Sequence, residues 1–260
     1  MLLVKKYLKR NNKIYNHLHL QILKIISNLE TNPDPKQSQW VSKYLGTDKK
    51  YHGLTSKQFL SLTRNFIKEN DLDESKTIDL IDSLYQHGTS YTEIVLAASI
   101  LSSSPKVLKN FDPNHLDLWL NYTCGWAEND VLCQSNFTSE ILLSNWPTWE
   151  KILKQFNQSS NINKRRASLV LLTKSLSKSD DQRLSKLAFE QIDKLKSEKE
   201  ILITKAVSWL LRSLVKFHKD EVLIYLKTNQ DKLPKIAYRE ALSKALTGKK
   251  YINLKKQNAK

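Results

Sequence analysis

Glycine is scarce in this chain: its 260 residues hold five, Gly46, Gly53, Gly88, Gly125 and Gly248. No two stand close enough to build a phosphate-cradling loop or a dinucleotide fingerprint, so no nucleotide cofactor is expected. Cysteine is nearly absent too. Cys124 and Cys133 fit neither a disulfide framework nor a zinc-ligand pattern, and two free thiols suit a reducing compartment. The longest apolar run, "IVLAASIL" at 94–101, is far too short to span a bilayer. "MLLVKKYLKR" meets charge too early for a signal peptide. A soluble cytoplasmic protein is therefore expected. Acid is the last shortage: 26 Asp and Glu stand against 42 Lys and Arg, a net charge of +16. Such a balance points to a polyanionic partner, nucleic acid first and an anionic membrane surface second, although a lysine-rich genome also yields basic proteins.

What is present is helical period almost throughout. "KIYNHLHLQILKIISNLE" (13–30) repeats apolar residues at three and four and stops at "TNPDP". Helices follow over "KQSQWVSKYLGT", over "TSKQFLSLTRNFIKEN" with Thr55 as N-cap, and over "ESKTIDLIDSLYQHG" and "SYTEIVLAASILSSSP". Shorter ones lead to longer helices over 162–177, 182–197, 201–218, 220–228 and 235–247. No stretch alternates with period two for long enough to make a strand. The fold class is all-α, about a dozen helices. Pairs recurring every ~40 residues suggest a HEAT-like (ARM-type) solenoid in a single curved domain, with an irregular helical bundle as the alternative. A basic N-terminal helical extension (1–35) and a basic C-terminal tail (248–260) flank the central domain (36–247). The lysine-rich ends are the expected mobile parts.

Three segments carry candidate chemistry. In "GWAEND" (125–130), Trp126 and Asp130 lie one helical turn apart on one face. In "ITKAVSWLLRSL" (203–214), Ile203, Val207, Leu210 and Leu214 form a core stripe, with Lys205, Trp209 and Arg212 roughly opposite. An indole between two cations suits a phosphodiester backbone. The alternative is an indole packed under the next helix with cations snorkelling past it. In "NINKRRASLVLL" (161–172), Lys164, Arg165 and Arg166 sit in a helix's first turn, against its dipole. An anionic partner would relieve that cost; three solvated cations are the alternative. The six histidines show no metal-ligand spacing, and no Ser or Cys has a nearby His–acid partner in the sequence.

Taken in order, "KYLGTDKKYHGLTSKQF" (43–59), "WAEND", "KRRASLVLL", "ITKAVSWLLRSL" and "YREALSKAL" (238–246) resemble the AlkD-like family of DNA alkylation repair glycosylases. The resemblance spans about residues 36–247. It implies a HEAT-like repeat with a concave basic face for double-stranded DNA, and excision of cationic N3- and N7-alkylated purines without base flipping. It also implies a monomer needing no metal or other cofactor. The family's Trp, Asp, Arg and second Trp fall on Trp126, Asp130, Arg166 and Trp209, with Tyr44 a nearby contact. Lys43, Arg165, Lys205, Arg212 and Arg239 become the expected DNA-backbone contacts. The chain departs from the family at Gly125 and Ala127, where an aromatic and an acid are common. It has Lys57 and Gln58 in place of an arginine pair.

The chemistry of those residue types agrees with the resemblance. An alkylated purine is already cationic and leaves as a neutral base, so one ionised carboxylate serves where ordinary glycoside hydrolysis needs two. Tryptophan faces attract a cationic sugar and base by ~0.5–2 kcal/mol each. Two other functions stay open on sequence: a non-catalytic helical-repeat protein that binds DNA by shape and charge, and a protein-interaction scaffold.

Overall fold

The computed structural model describes residues 16–29 and 35–251. Fifteen helices run through the described residues, and no strand is among them. The expected all-α helical-repeat class is what the chain adopts. Two compact units, 1–136 and 137–260, divide it by internal contacts. Residues 1–15 of the basic N-terminal end and 252–260 of the C-terminal one, expected to be mobile, and the start and finish of the expected 13–30 helix lie outside the described residues.

The first unit holds α1 (His17–Leu29), α2 (Pro35–Leu45), α3 (Ser56–Asn70), α4 (Glu74–His87), α5 (Tyr91–Ser102), α6 (Pro105–Lys109), α7 (Asn114–Trp119) and α8 (Gly125–Asn136). Its centre is α5, the helix of the long apolar run. An apolar surface on every side requires neighbours on every side, and α5 packs on α3, α4, α6 and α8. Local chemistry sets the helix starts. Thr55 and Ser90 close capping boxes with Gln58 and Glu93, and Asp73 accepts from the Lys76 amide. Pro105 does more than stop α5: it occupies the first turn of the short α6, where its missing N–H costs nothing.

The second unit holds α9 (Ser139–Ser144), α10 (Trp146–Asn157), α11 (Ile162–Leu176), α12 (Gln182–Leu195), α13 (Ile201–Leu214), α14 (Lys219–Thr228) and α15 (Lys235–Thr247). Here the repeat is visible. α11, α13 and α15 pack side by side, α13 touching both others, while α12 packs on α10, α11 and α13, and α14 on α13 and α15. The helices of the first series start at Ile162, Ile201 and Lys235, close to the ~40-residue spacing read from the sequence. α11 is buried at every position from Arg166 to Thr173. Each leucine so enclosed contributes about 1.5–3 kcal/mol relative to exposure.

One cluster revises the sequence analysis. The fold brings Ser83, His19 and Glu93 together: His19 Nδ1 lies 2.9 Å from Ser83 Oγ, and Nε2 lies 2.8 Å from Glu93 Oε1. The partners are 64 and 74 residues apart in sequence, which hid them. All three side chains are buried, so the arrangement joins α1 to α4 and α5 and is closed to substrate. Burial pushes the Glu93 carboxyl up, but His19, Ser90 and the Thr89 amide outweigh it and hold it below its ordinary value.

Candidate functional site

In the first unit, the site is built on a close contact of two backbones. Gly46 and Gly125 both have left-handed φ, 72° and 68°. A Cβ on Gly125 would stand 2.2 Å from the Gly46 carbonyl oxygen, so only glycine admits this approach. The departure from an aromatic at this position therefore has a local reason. Cys124 Sγ also faces the Gly46 carbonyl, at 3.6 Å.

Glu128 locks the contact. Its side chain is fully buried. Oε1 accepts from Thr47 Oγ1 at 2.8 Å, while Oε2 accepts from the Cys124 amide at 2.7 Å and from Lys49 Nζ at 2.5 Å. Lys49 also donates to the Tyr122 carbonyl at 2.7 Å. An acid near the N-terminus of α8 is favoured by the helix dipole as well. Sequence reasoning passed over Glu128. Its signal was an acid inside a helix's first turn, but its partners lie outside the helix, Thr47 being 81 residues away.

With Ala127, Glu128 and Asn129 buried, the residues of "WAEND" left facing outward are Trp126 and Asp130, both half-buried. Trp126 is fixed in place: its indole Nε1 donates to the Tyr44 carbonyl at 2.6 Å, and its ring meets Tyr44 edge-on, centroids 5.4 Å apart. Tyr44 stacks flat on Trp40 at 5.3 Å. Lys43 is exposed on the same helix, α2. Tyr44, Trp126 and Asp130 thus belong to one local structure, with an aromatic surface beside a carboxylate.

The second unit arranges its candidates along α11, α13 and α15. The predicted core stripe of α13 is fully buried at Ile203, Val207, Leu210 and Leu214. Lys205 is exposed, and Trp209 and Arg212 are half-buried. Burial lowers the Arg212 guanidinium from its usual value, countered by the Glu240 carboxylate, 3.5 Å from its Nε. Glu240, on α15, is buried and accepts from Ser208 Oγ at 2.6 Å. Burial raises that carboxyl, yet Ser208, Tyr251, Lys250 and Arg212 together bring it below its ordinary value. Neighbouring Arg239 is exposed.

The paired arginines of α11 differ sharply. Arg165 grips Glu198 with two parallel bonds, Nε–Oε2 at 3.0 Å and Nη2–Oε1 at 2.7 Å. Its Nη1 donates to the Ser159 and Ser160 carbonyls at 2.9 and 2.8 Å. An anion that relieves a cation in this first turn is therefore the protein's own Glu198. Arg166 is 3% exposed and donates to the Leu202 carbonyl on α13. Among the described residues, no three His, Cys, Asp or Glu side chains are grouped to hold a metal ion. No helix among them is long and apolar enough to cross a membrane.

Comparison with known proteins extends these observations. No curated protein matches the chain by sequence. The chain is similar to a solved structure from Enterococcus faecalis, described as a predicted DNA alkylation repair enzyme. The likeness has a TM-score of 0.67 and 20% identity, covering 84% of this chain and 99% of that one. At that identity it shows a common fold. The sequence pattern of the family described as DNA alkylation repair enzyme matches residues 25–245, most of the chain. The chain belongs to the DNA alkylation repair enzyme family, and its role lies in the repair of alkylated DNA.

Proposed function

We propose that the protein is a DNA N-glycosylase that excises cationic N3- and N7-alkylated purines from duplex DNA, on a HEAT-like helical array and without base flipping. The observation that carries this reading is the pattern of "WAEND" on α8. The three middle residues are buried, and the two outward ones are an aromatic and a carboxylate one turn apart.

The chemistry follows from the charge of the lesion. As the C1′–N bond breaks, its electron pair passes to the base, cancels the positive charge of the alkylated purine ring and lets the base leave neutral. No acid has to protonate it. Positive charge then grows on the deoxyribose, and an ionised Asp130 beside it stabilises that charge and orients the attacking water. The Trp126 face adds cation–π attraction of ~0.5–2 kcal/mol. Hydrolysis at an already cationic leaving group draws on no metal and no cofactor.

Trp209 is assigned to sugar, and Arg166 to phosphate, which it reaches only by turning out of its buried position against the Leu202 carbonyl. Tyr44, Lys43, Lys205, Arg212 and Arg239 are assigned to the DNA backbone, each exposed or half-buried. Arg165 reaches phosphate only in competition with Glu198, its bidentate partner. A cytoplasmic monomer acting on double-stranded DNA completes the proposal.

Methylated duplex DNA provides the test. Wild type is expected to release 7-methylguanine and 3-methyladenine. Asp130→Asn is expected to release them 10²–10³-fold more slowly, the usual loss when one preorganised electrostatic group is removed, while binding DNA as before. Binding by both proteins with release by neither defeats the glycosylase reading and leaves a shape-and-charge DNA binder.

A further inference from the structure

We propose that Trp40 is a stacking platform for an unpaired nucleobase, so that the protein holds DNA carrying an extrahelical base more tightly than fully paired duplex. This inference rests on the proposed DNA-binding function and assigns the α2 surface within it.

The geometry is a three-ring series. Trp126 meets Tyr44 edge-on at an interplanar angle of 88°, and Tyr44 lies parallel to Trp40, within 2° and at 5.3 Å between centroids. Trp40 and Tyr44 are one helical turn apart, so α2 itself sets the stack. Neither ring is used to bury core. Trp40 is 64% exposed and Tyr44 57%. Large aromatics normally supply burial. Two left in water, held flat against each other, already have the order a third planar ring needs.

The charge decides which planar ligand fits. A cationic ligand could sit over an indole by cation–π attraction, but the chain carries a net +16 and Lys43 is exposed between the two rings in sequence. A planar group on an anionic strand, a nucleobase in DNA, satisfies both ring and charge. Stacked base pairs offer no free face to such a platform. An unpaired base does, and its stacking on an aromatic is sequence-tolerant.

The test uses the full chain and three DNAs: a paired duplex, the same duplex with a one-nucleotide bulge, and the bulged duplex with 2-aminopurine at the unpaired position. Wild type is expected to prefer the bulge and to change the 2-aminopurine fluorescence. Trp40→Ala is expected to lose about 10-fold or more in affinity for the bulged duplex, as removal of one base–aromatic stack does. Its affinity for the paired duplex should stay within about twofold, with the fluorescence change gone. Trp40→Phe should restore most of both, which separates stacking from fold. Equal loss on both DNAs, or no loss on either, overturns the platform. If wild type binds no DNA, the DNA-binding function falls with it. Excision by wild type with no response to Trp40→Ala leaves that function standing and removes this inference alone.

Discussion

The two units present their candidate groups in opposite ways. In the first, the rings of Trp40 and Tyr44 are exposed and that of Trp126 half-buried, while the structural acid, Glu128, is fully buried. In the second, cations near the surface are tied down by acids: Arg165 by Glu198, and Arg212 by the buried Glu240. A cation on the outer side of a helical wheel is therefore not automatically a free phosphate ligand. Arg165 has its guanidinium held by a carboxylate and two carbonyls, whereas Lys205 is exposed. The first unit supplies a preorganised aromatic surface through a backbone contact locked by the buried Glu128, while the second holds Arg165 and Arg212 near the surface in ion pairs.

The sharpest way to break the contrast is to unlock the first unit. Glu128→Ala leaves Lys49, Thr47 and the Cys124 amide without their shared acceptor. A loss of about 3 kcal/mol is expected in urea unfolding, the scale seen when one partner of a buried pair is removed. Gly125→Ala forces a left-handed φ on a Cβ that would strike Gly46. It should cost about 2–3 kcal/mol and lower base release, because Trp126 follows directly. Unchanged stability in both variants means that the Gly46–Gly125 contact does not hold the site.

Ion pairing in the second unit predicts smaller effects with a defined sign. The Glu240 carboxyl is held below its ordinary value. Its stabilisation is thus present above the unfolded carboxyl range and lost as pH falls through the folded value. Glu240→Gln should flatten the acid limb of the stability–pH curve; a limb as steep as wild type's contradicts this. The smallest expected change separates the cations. Lys205→Ala should reduce the slope of log affinity against log salt by about one, and Arg165→Ala by less, because Glu198 already neutralises Arg165. Equal slopes would show that Arg165 leaves Glu198 for phosphate.

Period and capping made most helices legible: the Thr55 cap and the α13 core stripe both follow from residues three or four apart. The same local logic set Trp126 and Asp130 on one face. It could not find Glu128 or Glu240, whose value lies in contacts made across the fold. Glu240 meets Ser208 at a separation of 32 residues. Nor could it explain Gly125, because a positive φ and a backbone 2.2 Å from an imagined Cβ are tertiary facts. Pro105 showed the limit in miniature, since a proline that ends one helix can equally begin the next.

The central claim is that Asp130 acts on a base that is already charged. Single-turnover release from duplexes carrying one 7-methylguanine or one hypoxanthine, by wild type and Asp130→Asn, tests it most directly. The account predicts release of the cationic base alone, slowed 10²–10³-fold by the substitution. Comparable release of neutral hypoxanthine, or 7-methylguanine release indifferent to Asp130→Asn, would contradict it.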